Sequence, residues 1–424
     1  MNTNGYRRVV VTGLGALTPL GLTMDETWTN LLAGKSGAAK LTRFDTSDYY
    51  VQIGCELKGF DLSRIEHLVP PKEARRLDLN IAYTIAATDE ALRHANYRVE
   101  SDEQGNRAGV LVGTGIGGLP TLYDGHMTLF AKGPKRVSPF VATYMLPNMA
   151  AGEAAILYNL RGPSYCIISA CATGTHIVGE AAEIIRRGDA DVMVAGGTEA
   201  GITPFGVAAF HRTQALSTRN DDPERASRPF DKDRDGFVMA EGAAVMVLES
   251  LEHAEARGAP ILAEVVGYAM STDAYHISAP AEGGEGAARS MQLALGKAGL
   301  TPGDIDYINA HGTSTQLNDK SETEAIKKVF GERAYDLPIS STKSMTGHML
   351  GAAGVIEAAV CVRTMLEDII HPTINLDTPD PDCDLDYVPW ESRRRRVKIS
   401  MSSSFGFGGH NATVILKKFE GQAG

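Results

Sequence analysis

Short apolar runs alternate along the chain with longer stretches in which apolar residues recur at helical spacing, the pattern of strands separated by helices. Residues 109–115 and 261–268 are predicted strands, residues 251–258 a predicted helix, and residues 9–17 a predicted strand that gives way to a Gly-rich turn. Such alternation favours sheets whose faces are covered by helices. The sequence therefore predicts an α/β protein.

The order of predicted elements occurs twice. Matching segments are residues 109–115 with 305–313, both ending in a Gly/Thr turn, residues 171–188 with 345–366, and residues 191–197 with 397–409. This repeat predicts two similar α/β halves that are joined near residues 251–258. Repeats that keep loops at the same sheet end can bring those loops to one cleft, so we expect the functional site between the halves.

The composition is that of an ordinary globular protein. The chain has 424 residues, 43% hydrophobic and 22% charged, which is enough for a large core and two structural halves. No apolar run reaches the ~20 residues that a membrane-spanning helix needs. The formal net charge of −11 argues against nucleic-acid binding, because neutralising phosphates requires a basic surface. We expect neither a membrane nor a nucleic acid as a partner.

Two short basic clusters interrupt this acidic background. One comprises Lys72, Arg75 and Arg76, and the other spans residues 393–396. Such clusters are most often solvated charged faces, although either could receive a negatively charged partner. The five cysteines show neither paired metal-ligand spacing nor a disulfide framework. This usage is typical of a reducing compartment and predicts a cytoplasmic protein.

Two ligand motifs are present only in incomplete form. The G-x-G-x-x-G pattern at residues 113–118 follows a predicted strand, but residues 119–124 are not predicted to open a clean helix, and no acidic residue ends a second strand about 20 positions later. Residues 231–236 resemble the start of a calcium loop, but the position that an EF-hand fills with a bidentate Glu is Gly242. Neither a dinucleotide nor calcium is expected.

Cys171 is the most informative side chain. It follows the apolar run at residues 164–169, a predicted buried strand, and opens a small-residue segment that is predicted to continue as a helix to residue 188. The unpaired N–H groups and the dipole at a helix N-terminus favour a thiolate. A contribution of about 1 kcal/mol corresponds to ~0.7 pKa unit, so further partners are expected. From position alone, a packed core thiol is an equal alternative.

Two histidines of the second half are candidates for those partners. His311 and His348 lie in segments that the repeat makes equivalent to the loop after residue 113 and to the turn at Cys171. One such histidine is more often structural, but two of them could meet Cys171 between the halves. A thiol with two imidazoles suits acyl-thioester chemistry, because the thiol can attack a thioester and neutral imidazole N–H groups can stabilise an enolate. The Gly-rich residues 405–409 offer unobstructed backbone N–H groups.

Several motifs, taken together, give the chain a resemblance to a known family. They are SACATG at 169–174, LSTR at 216–219, RPFDKDRDGF at 228–237, NAHGTST at 309–315, Lys343 with Gly347 and His348, and GFGG at 406–409. The chain resembles the elongating β-ketoacyl-(acyl carrier protein) synthases of the thiolase superfamily, and among them the synthase II type of bacterial fatty acid synthesis. The similarity extends from residue 9 to residue 416.

The resemblance implies a thiolase-like α/β fold, with two βαβαβαββ halves in a five-layered αβαβα arrangement and a homodimer as the assembly. Residues 1–257 would carry the nucleophilic cysteine, and residues 258–424 would carry the two catalytic histidines. The implied reaction is the decarboxylative Claisen condensation of a Cys-bound acyl chain with malonyl-ACP in fatty acid elongation. The acyl carrier protein (ACP) would be the partner, and because it brings the phosphopantetheine arm, no separate cofactor is implied.

The resemblance also implies roles for individual residues. Cys171 would accept the acyl chain, His311 and His348 would act on malonyl-ACP, and Lys343 would keep the His311 region in order. The backbone N–H groups of Cys171 and Phe407 would form an oxyanion hole, with Phe407 as a gate. The other implied roles are substrate contacts at Thr313, Thr315, Ile116 and Phe405, carrier docking at Lys72, Arg75 and Arg76, and a structural monovalent cation near Asn309, Glu357 and Ser402, which is reported for some relatives.

Two positions depart from the family pattern: Gln214 stands where a basic residue often helps to bind the carrier, and His410 replaces the common Thr after the Gly pair. Three other classes of protein share parts of this pattern. A type II polyketide ketosynthase uses the same residues and remains open. A thiolase is disfavoured because the region after Phe407 lacks a second cysteine, and a non-catalytic chain-length-factor-like subunit is disfavoured by Cys171 itself.

Overall fold

The computed structural model describes residues 6–421 of the chain, so residues 1–5 and 422–424 of the predicted halves lie outside the described residues. The helices are α1 (Met24–Leu32), α2 (Pro71–Ala74), α3 (Leu79–His94), α4 (Asp102–Asn106), α5 (Leu119–Lys132), α6 (Val141–Tyr144), α7 (Met149–Tyr158), α8 (Thr173–Arg187), α9 (Pro204–Arg212), α10 (Leu251–Ala256), α11 (Glu285–Ala298), α12 (Gln316–Phe330), α13 (Lys343–Thr346) and α14 (Ala353–Glu367). The strands are β1 (Val9–Leu17), β2 (Ala39–Lys40), β3 (Ile53–Gly54), β4 (Ala108–Gly113), β5 (Ser164–Tyr165), β6 (Val192–Glu199), β7 (Gly242–Ser250), β8 (Ala263–Thr272), β9 (Tyr307–Asn309), β10 (Ile339–Ser340), β11 (Ile369–Ile370), β12 (Arg393–Arg394), β13 (Ile399–Gly406) and β14 (His410–Lys418).

The principal sheet has ten strands in the order β10-β9-β13-β14-β8-β1-β7-β6-β4-β5. Counted outward from its centre, the first half runs β1-β7-β6-β4-β5 and the second runs β8-β14-β13-β9-β10, so the same order occurs twice. The halves meet where β1 and β8 pair antiparallel at Val10 with Glu264 and at Val11 with Ala263. The predicted repeat is confirmed by this strand order.

Helices cover both faces of each half. α8 and α14 lie against each other and contact strands of both halves, so they form a central layer. α3 and α7 cover the outer face of the first five strands, and α11 and α12 cover that of the second five. The thiolase-like αβαβα arrangement is therefore confirmed. Strands such as β6 and β7 are buried along their whole length, because helices lie on both sides of them.

The N-termini of α8 and α14 touch backbone to backbone. A Cβ atom on Gly174 would lie 2.7 Å from Val355 N, and a Cβ atom on Gly354 would lie 2.3 Å from Thr175 N. Only glycine leaves room for this approach. It places the turn before α8, which carries Cys171, beside the turn before α14, which carries His348.

Several sequence-based boundaries are wrong. The expected buried strand at residues 164–169 is reduced to the exposed two-residue strand β5 at the sheet edge. Residues 9–17 form a strand throughout, with a register shift between Val11 and Gly13 in place of the expected turn. Residues 119–124 do open a helix, since α5 starts at Leu119 with Pro120 in its first turn. The helix expected from residue 345 begins at Ala353, because Gly347 has a φ of 67° and ends α13.

No helix among residues 6–421 is long and apolar enough to cross a membrane.

Candidate active site

Cys171 lies on a tight turn that leads into α8. The preceding residue, Ala170, has a φ of 50°, a left-handed conformation that costs an L-residue about 1–2 kcal/mol. Ala172 N donates to Ser169 O at 3.1 Å, and Ser169 N donates to Thr173 Oγ1 at 2.8 Å. The turn is therefore held from both sides, and it directs the thiol into a cavity of about 300 Å³.

Three reactive side chains meet in this cavity. The Cys171 sulfur and the nearest ring nitrogens of His311 and His348 all lie within 4.8 Å of one another. The two imidazole rings are 5.5 Å apart between centroids and stand edge to face, at 86°. The convergence that the repeat predicted is present, since both histidines belong to the second half and Cys171 belongs to the first.

Hydrogen bonds fix the tautomer of each imidazole. Lys343 Nζ lies 3.3 Å from His311 Nδ1, and an ammonium can only donate. Leu350 N–H donates to His348 Nδ1 at 3.2 Å. Because Nδ1 accepts in both rings, the proton of each neutral imidazole resides on Nε2. His348 Nε2 is buried and has no hydrogen-bond partner within the described chain, so this N–H is free for a substrate oxygen.

Both imidazoles are held neutral. The pKa values of His311 and His348 lie well below the usual range because burial and the positive charge of Lys343 disfavour a second proton. The same tautomers count against a metal centre at these three side chains, because a metal would require a lone pair on the nitrogen that carries the proton. The site is thus a thiol facing two neutral N–H donors.

The pKa of Cys171 differs from the sequence-based expectation. Burial raises the pKa of the thiol to about 11, against the opposing effects of Lys343 and of the N–H groups of Phe407 and Cys171. The backbone N–H groups do favour the thiolate, as expected, but in the resting site desolvation outweighs them. In this site the thiol is protonated at neutral pH.

The turn after β13 closes over Cys171. The backbone N–H groups of Phe407 and of Cys171 both approach the thiol. A Cβ atom on Gly406 would lie 2.7 Å from Ser169 O and 3.1 Å from Cys171 N, so only glycine allows this strand to rest on the nucleophile turn. Phe405 stacks edge-on against His311 at 5.6 Å between centroids. Phe405 and Phe407 both line the cavity.

Lys343 lies behind His311 and does not line the cavity. Its ammonium donates to His311 O at 2.7 Å and forms a buried ion pair with Glu357. Burial raises the pKa of Glu357 to about 7, and the charge of Lys343 opposes this rise. Lys343 therefore contacts His311 directly, and its expected role in ordering this region stays a prediction.

The other residues named from the sequence fall into two groups. Thr313, Thr315 and Gln214 line the cavity, and the two threonine hydroxyls are 3.0 Å apart. Ile116 is not among the cavity-lining residues, although it packs with Cys171 against the same apolar core.

The basic residues named from the sequence lie at the surface. Lys72, Arg75 and Arg76 are exposed at α2, and the Arg76 guanidinium stacks on Phe140 at 4.6 Å. Of the two residues that depart from the family pattern, His410 begins β14 opposite Gly406, and Gln214 has a φ of 58°.

Sequence reasoning missed several buried groups around the site. Glu322 accepts hydrogen bonds from the backbone N–H groups of His311 and Gly312, both at 2.7 Å. Phe237 stacks edge-on against His348 at 5.2 Å. Glu199 accepts from Gly115 N at 2.7 Å and Gly351 N at 3.1 Å, and so joins the loops of the two halves. Glu322 lies on α12, eleven residues after His311, and this proximity in sequence is the signal from which its contact with the His311 segment could have been found.

Comparison with known proteins agrees with this geometry. The chain matches the family described as Beta-ketoacyl synthase, N-terminal domain over residues 6–254, and that described as Beta-ketoacyl synthase, C-terminal domain over residues 262–377. The fold and site are those of a condensing enzyme. This chain belongs to the β-ketoacyl synthase family.

Curated relatives cover nearly the whole chain. The 3-oxoacyl-[acyl-carrier-protein] synthase 2 of Synechocystis sp. is 50% identical over 414 residues, with 98% of this chain and 99% of the relative covered. The protein of the same name from Staphylococcus aureus is 51% identical over 414 residues, with the same coverage. That from Rhizobium meliloti is 49% identical over 420 residues, covering 98% of this chain and 100% of the relative.

Solved structures show the same fold. A β-ketoacyl synthase from Burkholderia phymatum superposes with a TM-score of 0.90 at 37% identity, over 98% of this chain and 100% of the other. A chain of AntDE:AntF, a type II PKS acyl-carrier protein in complex with its ketosynthase bound to the hexaketide, gives a TM-score of 0.90 at 35% identity with the same coverage.

Proposed function

We propose that this enzyme is a 3-oxoacyl-ACP synthase that elongates fatty acyl chains by decarboxylative Claisen condensation with malonyl-ACP. The proposal is carried by one observation: a single thiol and two imidazoles with Nε2–H groups converge in one cavity. Support comes from the relatives named 3-oxoacyl-[acyl-carrier-protein] synthase 2, which are about half identical over nearly the full chain.

In the first step, Cys171 Sγ attacks the carbonyl carbon of an acyl-ACP thioester. The bond from this carbon to the pantetheine sulfur breaks, and the thiol proton leaves with that sulfur as free ACP. The negative charge that develops on the carbonyl oxygen is stabilised by the N–H groups of Phe407 and Cys171, which already approach the sulfur. Because the resting thiol is protonated, the proton transfer accompanies acyl transfer.

In the second step, malonyl-ACP loses carbon dioxide. The bond to the carboxylate carbon breaks, its electron pair forms an enolate, and the enolate oxygen accepts hydrogen bonds from the Nε2–H groups of His311 and His348. The enolate carbon then attacks the acyl-Cys171 carbonyl, and the Cys171 thiolate leaves and takes up a proton from solvent. The products are 3-oxoacyl-ACP and carbon dioxide, and the thiol is regenerated.

The remaining site residues have supporting roles in this proposal. Lys343 fixes the tautomer of His311. Thr313 and Thr315 bond the pantetheine arm, while Phe405 and Phe407 close over the acyl chain. Ile116 lies outside the cavity lining but packs with Cys171 against the same apolar core, and in this proposal it contacts the chain where the chain extends beyond the cavity. Docking of the carrier falls to the exposed cations of α2, which are Lys72, Arg75 and Arg76. Five cysteines that are all free support a cytoplasmic location.

Three buried oxygens have the chemistry to hold a structural monovalent cation. Asn309 Oδ1, Glu357 Oε2 and Ser402 Oγ are all buried without a hydrogen-bond partner in the described chain. Three unsatisfied oxygens are a suitable donor set for a hard cation. Such an ion would satisfy these oxygens and would hold Glu357, the partner of Lys343, in place.

We also propose that the chain forms a homodimer through the edge strand β5, and that it divides into halves at residues 257 and 258. Strand β5 and its counterpart β10 occupy equivalent sheet edges. The edge of β10 is covered, since Ile339 N donates to Asp386 O at 2.8 Å. In contrast, β5 is exposed, with Tyr165 and Ile168 41% and 49% accessible. A second copy of this strand would satisfy both the backbone and the apolar surface.

The test uses purified protein with acyl-ACP and malonyl-ACP. We expect a mass increase of one acyl group on Cys171, followed by release of carbon dioxide and formation of 3-oxoacyl-ACP. Cys171→Ala should abolish condensation, whereas Cys166→Ala, which removes a neighbouring half-buried thiol, should leave it nearly intact. Condensation that survives in the Cys171→Ala variant would exclude the proposed nucleophile.

A type II polyketide ketosynthase is the second candidate, since one similar structure is described as a type II PKS acyl-carrier protein in complex with its ketosynthase, and another as the ishigamide ketosynthase/chain length factor. The higher identity to the synthase 2 relatives favours fatty acid elongation. A single two-carbon extension by the purified chain alone would agree with this, and repeated extension without reduction would favour the polyketide pathway. A thiolase is disfavoured because Cys171 is the only cysteine lining the cavity within residues 6–421.

A further inference from the structure

The acidic segment at residues 231–236 does not resemble a calcium site in the structure. Asp231 is fully buried, and its carboxylate accepts hydrogen bonds from Arg228 Nε at 2.9 Å, Asp233 N at 2.8 Å and the N–H groups of Asp377 and Thr378, both at 2.7 Å. Its oxygens are therefore already occupied by protein donors. The segment instead organises a buried network behind one wall of the active-site cavity.

Arg234 is the centre of this network. It is only 2% exposed, and its guanidinium donates to Thr315 O at 3.1 Å, Gln316 O at 3.0 Å and Asp231 O at 2.7 Å. It also pairs with Asp380. Arg234 does not line the cavity, but Thr315 and Gln316 do. Its side chain therefore acts on the cavity wall through main-chain carbonyl groups.

The segment that Arg234 holds is strained and tightly tied. Ser314 is buried with a φ of 69°, which is uncommon for a residue other than glycine. Gly236 N donates to Ser314 O at 3.0 Å, and Thr313 N donates to Asp319 Oδ1 at 3.0 Å. The Asp319 carboxylate is 3.6 Å from Arg234 Nε. A strained conformation of this kind persists only where its surroundings fix it. Arg234 supplies two of these contacts through its hydrogen bonds to Thr315 O and Gln316 O.

We propose that Arg234 is a positioning residue that holds Thr313 and Thr315 for the pantetheine arm, and that it thereby favours pantetheine-linked thioesters over thioesters without that arm. This inference rests on the proposed function. Three carbonyl acceptors and the carboxylates of Asp380 and Asp319 surround one side chain, a set that suits the planar five-donor guanidinium. A lysine ammonium has its three donors on one nitrogen, so it cannot reach all the acceptors that surround the guanidinium of Arg234.

Arg228 provides a matched control. It is 3% exposed and also pairs with Asp231, but its side chain otherwise bonds to Asp377 and donates to none of residues 313–316. Arg228→Lys and Arg234→Lys thus disturb the same buried network at the same charge. We expect both variants to lose thermal stability, so loss of stability alone does not distinguish a structural role from a positioning role.

The deciding measurement is the ratio of two kcat/KM values for acyl transfer to Cys171. Each acyl transfer reaction is monitored by the mass of the intact protein. One substrate is the acyl-pantetheine thioester, and the other is the ethanethiol thioester of the same acyl group. In Arg234→Lys the ratio of kcat/KM for the pantetheine substrate to that for the ethanethiol substrate should fall up to about tenfold, the upper value for one neutral hydrogen bond between a threonine hydroxyl and the arm. In Arg228→Lys the ratio should stay as in the unmodified enzyme.

Two outcomes separate this inference from the function on which it rests. An unmodified protein that forms no acyl-Cys171 from either substrate would contradict the proposed function. An unmodified protein that reacts, with the same ratio in Arg234→Lys, would overturn the role of Arg234. If Arg234→Lys does not fold, Asp380→Asn decides, because it removes only the outer partner of Arg234. A smaller fall in the ratio would support the positioning role, and an unchanged ratio would contradict it.

Discussion

Removing either active-site imidazole should separate the two half-reactions. In the proposed mechanism, acyl transfer to Cys171 uses the N–H groups of Phe407 and Cys171, whereas decarboxylation uses the Nε2–H groups of His311 and His348. Loss of one preorganised oxyanion donor slows a reaction by about 10²–10³-fold. We therefore expect His311→Ala and His348→Ala each to slow condensation by about this factor while acyl transfer changes less than about tenfold.

The two steps can be measured on one sample. Acyl transfer is followed as the mass shift of intact protein after rapid mixing with acyl-ACP, and condensation is followed as carbon dioxide released from malonyl-ACP. The pKa values of both imidazoles lie well below the usual range, so both rings stay neutral between pH 8 and pH 6. Carbon dioxide release should therefore show no loss attributable to these histidines in that range.

His371 is the matched control for this experiment. It is a fully buried imidazole whose pKa burial lowers to about 4, but it does not line the cavity. Its ring is held by the Pro372 carbonyl at 2.9 Å and lies 3.1 Å from Thr342 Oγ1. His371→Gln should lower stability and leave the ratio of the two step rates unchanged. Equal losses of acyl transfer and condensation in His311→Ala and His348→Ala would refute the division of labour.

Three further outcomes are expected. Arg75→Glu with Arg76→Glu should raise the apparent KM for acyl-ACP roughly tenfold and leave that for acyl-pantetheine unchanged, because reversed rim charges repel an acidic carrier; equal effects on both substrates would argue against docking at α2. Burial raises the pKa of Glu199 from 4.5 to about 7, so the folded state binds this proton more tightly and loses up to about 3 kcal/mol of stability as pH rises across that window. Glu199→Gln should flatten urea-derived stability against pH, and an unchanged slope would count against this assignment. Tyr165→Glu should convert a dimer to a monomer in analytical ultracentrifugation, and a wild-type protein that is already monomeric would contradict pairing through β5.

The repeat and the reactive residues were predictable because both follow from local pattern. Loops after equivalent strands of a duplicated fold converge. The repeat alone therefore predicts that His348 can meet Cys171. The errors have physical causes. Apolar residues at 164–169 suggested a buried strand, but the run lies at a sheet edge where Tyr165 and Ile168 face outward. The thiol pKa was expected to fall, but desolvation, which depends on the whole surrounding structure, raises it.

The sequence does not show which distant residues become buried hydrogen-bond partners. Arg234 stands among Asp231, Asp233 and Asp235 in the segment that resembles the start of a calcium loop. Its acceptors at Thr315 and Gln316 lie 81 and 82 residues away along the chain. Tautomers are equally invisible in sequence, since they depend on whether Lys343 or the Leu350 N–H reaches the Nδ1 atom. The residue types therefore indicated thiol and imidazole chemistry. The buried hydrogen-bond partners that set the tautomers are visible only in the structure.

The position of the Lys343 ammonium is itself informative about decarboxylation. Lys343 is paired with Glu357 behind His311 and does not line the cavity. A cation exposed in the cavity would bind the malonyl carboxylate and stabilise the ground state, which lowers no barrier. In the proposed mechanism, neutral Nε2–H donors instead bond to the thioester oxygen, where negative charge accumulates only as carbon dioxide leaves. In that mechanism the charge of Lys343 acts through the tautomer and pKa of His311, an arrangement that would favour the transition state over the bound carboxylate.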